Sequence, residues 1–190
     1  MRQLPSILIK LLGLCLLLVA PLSCSAPGLI GWRKEVRQSV LSLGYGNWVV
    51  IADASYPHHN KWGVDVINVS AEVPEVVDAL INEIESTQHV KPLFYLPREL
   101  RLIAQEQAPG IELYRDQLKA SLHGHAPREL EERILNGLVK TSAEEYNVLV
   151  IKTQTSLPYS SVFIEMDSGY WDTDAEIKLR EAIQRENQGQ

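Results

Sequence analysis

Cysteine is scarce in this 190-residue chain: there are two, and Cys15 lies inside an N-terminal apolar run. If that run is a leader, Cys24 is left alone, no intrachain disulfide can form in the mature protein, and the hydrophobic core must suffice. Positive charge is also short, with 18 Lys and Arg against 24 Asp and Glu and a formal net charge of −6. Removing residues 1–23 takes away Arg2 and Lys10 and no acid, so the mature surface is more acidic still and nucleic acid is not an expected partner. No apolar run is long enough to span a bilayer; "LLGLCLLLVA" over 11–20 falls well short. The nucleotide-binding glycine patterns are missing too. Gly44-Tyr45-Gly46 lacks a third glycine and precedes its strand instead of following it, and there is no phosphate-binding lysine loop and no G-x-S-x-G elbow. His58-His59 and His123-Gly124-His125 are not at helical ligand spacing and no cysteine joins them, so no metal site is read.

What is present begins with export. A basic start, a short apolar stretch and the small residues of "PLSCSAPG" predict a secretory signal over 1–23. Cys24 stands where a bacterial lipoprotein carries its acylated cysteine, which would anchor the protein to a membrane. Cleavage near Ser25 or Ala26 is the other reading, and both stay open. The expected organisation is a linker over 24–31, one folded domain over 32–172 and a polar helix or tail over 173–190, located in the periplasm or on a membrane.

Within the domain, helical and extended patterns alternate. Val36, Val40 and Leu43 recur at helical spacing before Gly44, and "NWVVIADA" is the short β-branched run of a buried strand. "GVDVINVS" reads as a second strand, and Pro74 opens a helix whose Val76, Val77, Leu80, Ile81 and Ile84 share one face. "PLFYLP" is a strand. Arg98–Gln107, Ile111–Leu122 and Arg128–Ala143 are expected as helices, "YNVLVIKT" and "SSVFIEMD" as late strands. This order predicts a single α/β domain of three layers, helices covering both faces of a mixed sheet.

Polar chemistry concentrates where the first strand ends, in "DASYPHHN" from Asp53. A carboxylate at the C-terminal end of a strand lies where open α/β sheets bind ligands, although Asp53 taken alone reads first as the cap of the turn that follows. Trp32, Trp48, Trp62 and Trp171 could stack on a sugar ring, but each taken singly is an ordinary core or interface residue.

The segment "LGYGNWVVIADASYP" resembles the D-ribose pyranase and L-fucose mutarotase family, whose members carry L-G-H-[GT]-D leading through an apolar strand to D-A-x-x-P. The late segment "VLVIKTQTSLPYSSVFIEMDSG" is similar to the family's closing strand, loop, Y-[GA]-N and strand. The match runs from Trp32 to Gly169. It implies a monosaccharide site in which Asp53 binds sugar, Tyr159 donates or stacks, and His58 or His59 lies at the rim. It also implies closed homo-oligomeric rings with sites near subunit contacts and no cofactor. The reaction would be acid–base ring opening that interconverts anomers or pyranose and furanose forms, or, where catalysis is lost, sugar binding alone. Tyr45 stands at the family's catalytic histidine, Ser161 at its sugar-contacting asparagine, and a third contact position falls near Gly137, which has no side chain. A phenol with an ordinary pKa of about 10 donates a proton more readily than it accepts one.

Overall fold

The computed structural model describes residues 28–57 and 63–188. The expected leader, Cys24, His58, His59 and Trp62 therefore lie outside the described residues. In chain order the elements are α1 (Gly28–Val40), β1 (Trp48–Ala52), β2 (Val64–Asn68), α2 (Val73–Glu85), β3 (Val90–Pro97), α3 (Arg98–Leu102), α4 (Ile111–Ser121), β4 (Arg128–Leu130), α5 (Glu132–Ser142), β5 (Val148–Lys152), β6 (Val162–Ser168) and α6 (Thr173–Gln188). Six strands form one sheet in the order β2-β5-β1-β6-β3-β4.

The sheet is mixed, as expected. β1 and β2 both run parallel to β5, while β6 is antiparallel to β1 and to β3. Every residue of β1 is buried, which explains its unbroken apolar run, because both faces of a central strand are covered. Side chains alternate across the pleat. Val49 and Ile51 join Leu149, Ile151, Ile164 and Met166 in a core under α1, α2 and α4, whereas Trp48, Val50, Ala52, Val148 and Phe163 face Leu135, Val139 and Ala143 near and along α5. Helices thus cover both faces, but the second face has the thinner layer, and that leaves room for a cavity.

Two helical expectations are corrected. Arg98–Gln107 is helical only over Arg98–Leu102, because Ile103 turns extended and the Arg115 side chain donates to the carbonyls of Leu100 and Ile103, binding the helix end from outside. Arg128–Ala143 is not one helix. Arg128–Leu130 pairs parallel with the open edge of β3, and α5 starts only at Glu132, whose backbone N–H donates to the Glu99 carboxylate at 3.1 Å. The tail is a helix, α6, with no buried side chain. Among the described residues no helix is long and apolar enough to cross a membrane.

Candidate active site

Asp53 leaves β1 at its C-terminal end and is 7% exposed. The antiparallel register that sets Ile51 against Val162 brings it to the start of β6, beside the fully buried Ser161. The Ser161 hydroxyl donates to Asp53 Oδ2 at 2.8 Å and accepts from the Asp53 N–H at 3.1 Å. Asp53 Oδ1 accepts from the Ser55 N–H at 2.8 Å and from its hydroxyl at 2.5 Å. Asp53 therefore does cap the turn after β1. A carboxylate offers about four lone-pair positions, so three accepted bonds leave acceptor capacity on Oδ2.

A cavity of about 590 Å³ opens between this end of the sheet and α5. Asp53, Tyr56, Glu132 and Asn136 line its polar part. The Tyr56 hydroxyl donates to Asn136 Oδ1 at 3.0 Å. Burial first, then the negative charges of Glu132 and Asp53, push the Tyr56 phenol up to about 12, so it remains a protonated donor at neutral pH. Glu132 is shifted upward as well, first by burial and then by the charges of Asp53 and Glu99. That shift runs against the preference of a helix first turn for a carboxylate, so the desolvated neighbourhood outweighs the helix end here. The arrangement supplies a hydrogen-bonded carboxylate, a second carboxyl that holds its proton to higher pH, a fixed phenol donor and an amide. Groups of this kind can grip hydroxyls and move protons.

A smaller cavity of about 430 Å³ also takes Asp53 into its lining, with Ala54, Ser55, Ser156, Leu157 and Pro158. Tyr159 follows directly, 39% exposed, and lines neither cavity; its φ of 56° is the left-handed region that favours glycine. Tyr45 is 67% exposed in the turn before β1. A five-residue strand separates it from Asp53, roughly 16 Å of backbone at ~3.3 Å per residue, so one chain does not bring the two together. Gly137 lies exposed on α5 with open space around it. Trp32 and Trp48 are core residues, and the Trp171 indole donates to Glu176 on α6 at 2.8 Å. His123 and His125 pair separately with Asp78 and Glu85 of α2, at 2.8 and 3.1 Å.

Glu132, Asn136 and the Tyr56–Asn136 pairing were not singled out from the sequence. Their signal is the i, i+4 spacing of Glu132 and Asn136, which carries meaning only once the helix is known to begin at Glu132.

The fold that carries these residues has solved counterparts. The chain is similar to the structure of Bacillus subtilis RbsD complexed with D-ribose, with a TM-score of 0.51 and 17% identity over 76% of this chain and 97% of that one. FucU from Bifidobacterium longum gives a TM-score of 0.45 and 16% identity over 70% and 94%. A fucose mutarotase from Streptococcus pneumoniae in complex with L-fucose gives 0.44 and 17% over 68% and 89%. No family model matches the sequence, and no curated protein matches it. The α/β fold expected from the resemblance is the fold observed.

Proposed function

We propose that this protein binds a monosaccharide at the Asp53 end of the α5 cavity and interconverts its anomers or ring forms by acid–base ring opening. The observation that carries this reading is the placement of Asp53 and Glu132 on one cavity in different environments, one carboxylate held by serine donors and the other partly desolvated. Ring opening needs a proton delivered to the ring oxygen while another leaves the anomeric hydroxyl. Glu132, with its raised pKa, suits the donor role, and Asp53 suits the acceptor role through Oδ2. Tyr56 and Asn136 would fix the ring by hydrogen bonds. The shared fold with a protein complexed with D-ribose supports a small sugar as ligand.

Tyr45 can take part only where a second copy of the chain carries it to an Asp53 end, which fits the closed rings implied by the resemblance. Export through the 1–23 leader, with or without a lipid on Cys24, would place the activity outside the cytoplasm; mass spectrometry of the mature N-terminus from its own host tests this.

A second reading, sugar binding without catalysis, is favoured by one observation: both Asp53 oxygens already accept hydrogen bonds from serine groups, an arrangement that fixes the carboxylate as a hydrogen-bond acceptor for a sugar hydroxyl. Saturation-transfer NMR with ribose, fucose, galactose and glucose separates the two. Exchange faster than buffer that falls in Glu132→Gln supports the enzyme. Binding with exchange no faster than buffer leaves a binding protein, and no binding to any of the four removes the sugar site.

A further inference from the structure

The α5 cavity is far longer than one sugar ring, and its two ends differ in chemistry. Its lining runs along one face of α5 from Glu132 and Asn136 to Val139 and Ala143, a rise of roughly 16 Å at ~1.5 Å per residue. Across from the helix it runs from Asp53, after the last residue of β1, to Val64 and Val148, the first residues of β2 and β5. A Cβ placed on Gly63, just before β2, would sit 3.5 Å from the Ala143 carbonyl, so the C-terminal end of α5 does reach the start of that strand. At about 590 Å³ the space falls within the roughly 300–1,000 Å³ that takes a drug-sized ligand.

The polar groups gather at the Asp53 end. Beyond Asn136 the walls are Val64, Val139, Ala143, Val148 and Val150, with Lys140 the one charged residue in that stretch of the lining. A free monosaccharide carries hydroxyls around its whole rim and would leave those pointing along the valine wall without partners, which is costly in a desolvated site.

Resting on the sugar-site reading above, we propose that the ligand is a reducing sugar bearing an apolar arm on a non-anomeric oxygen, the sugar held by Asp53, Glu132, Tyr56 and Asn136 and the arm laid along the valine wall of α5, β2 and β5. The arm cannot be an aglycone on the anomeric oxygen if the ring is to open, because that bond would block loss of the anomeric proton. A sugar acylated on a primary hydroxyl satisfies both conditions.

The test uses the folded protein with D-glucose, D-galactose and their 6-O-acetyl, 6-O-butanoyl and 6-O-hexanoyl esters, all with free anomeric centres. Each methylene that enters the wall should tighten binding about fourfold, from the ~0.8 kcal/mol of burying one methylene. Saturation of protein methyl groups should transfer more strongly to the acyl chain than to the ring protons. Val139→Phe and Ala143→Leu, which fill the apolar end, should bring the ratio of ester to parent affinity towards one; thermal unfolding identifies whichever of the two is folded. Parent sugars that bind while their esters bind no tighter would overturn the apolar arm and leave the sugar site standing. A chain-length gain that survives both filling variants would place the arm elsewhere and overturn the proposal. Failure of parents and esters alike would overturn the proposal, and the sugar site falls with it only where ribose and fucose fail to bind as well.

Discussion

The Ser161 hydroxyl touches Asp53 twice, accepting from its N–H at 3.1 Å and donating to its Oδ2 at 2.8 Å, across 108 positions of sequence. One buried hydroxyl thereby sets both the backbone position and the side-chain direction of the carboxylate. Removing it leaves a buried donor and a buried acceptor short of a partner. Ser161→Ala is expected to cost about 1–3 kcal/mol of stability, read from the denaturant midpoint, and to weaken sugar binding through a misdirected Asp53. An unchanged midpoint would mean that water replaces the hydroxyl without loss.

Asp53 itself gives a complementary test. Asp53→Asn keeps the volume and an oxygen acceptor but loses the charge, so sugar affinity should fall by about 1.5–3 kcal/mol, the usual worth of a hydrogen bond to a charged group. Isothermal titration with the best-bound sugar measures it. Unchanged affinity would leave Asp53 with the turn it caps and no ligand.

The Glu132 shift makes stability depend on pH in a defined direction. Its carboxyl is raised from the ordinary 4.5 by burial and by Asp53 and Glu99, so the native state holds this proton more tightly than the unfolded chain does. The contribution of the protonated form is complete below 4.5 and is lost as pH rises through the folded value, where an ionised Glu132 must be accommodated. Glu132→Gln removes that penalty. Its melting temperature relative to wild type should be near zero difference at pH 4 or below and positive at pH 7. A difference that does not change with pH would show that the Glu132 charge is well solvated.

Much of the fold was legible, and the failures have physical causes. β1 and α2 were readable because local pattern and tertiary burial agree: a five-residue apolar strand buried on both faces, and a proline-opened helix with one apolar side. β4 was not. Arg128-Glu129-Leu130 has no alternation of its own and becomes a strand because β3 offers it an open edge. The end of α3 was hidden for a similar reason, since Arg115 on α4 supplies the stop signal. In the site, Asp53 was legible from its place after a strand. Glu132 was not, because a helix expected from Arg128 hid its position at the true start. Tyr45, close to Asp53 in sequence, is separated from it by the strand between them.

Tyr45 is exposed, so its substitution should leave stability within about 0.5 kcal/mol. If a neighbouring copy presents it to the sugar, Tyr45→His should raise anomer exchange, general acid–base help being worth about 10² to 10⁴-fold, and that gain should shrink on dilution below the dissociation constant of the assembly. Saturation-transfer NMR across a concentration series, with sedimentation at the same concentrations, checks both. A gain independent of assembly would mean that the imidazole acts within its own chain, contrary to the placement of Tyr45 and Asp53 at opposite ends of β1.

Tyr159 separates a structural from a functional reason for its conformation. Its left-handed φ of 56° costs a residue with a Cβ roughly 1–2 kcal/mol, an amount comparable to what partial burial of a side chain 39% exposed returns. Strain of this kind persists where it serves a site, and the loop that carries Tyr159 also carries Pro158 of the smaller cavity beside Asp53 and leads to Ser161. Tyr159→Gly relieves the strain while adding about 0.5–1 kcal/mol of backbone entropy to be lost on folding and giving up the ring's partial burial, so its loss of stability should be small. Tyr159→Ala keeps the strain and removes the ring, and should be the less stable of the two. Both variants should weaken sugar binding by a similar factor if the ring stacks on or donates to the ligand. Equal affinity in wild type, Tyr159→Gly and Tyr159→Ala would remove Tyr159 from the site and assign its backbone to the turn into β6 alone.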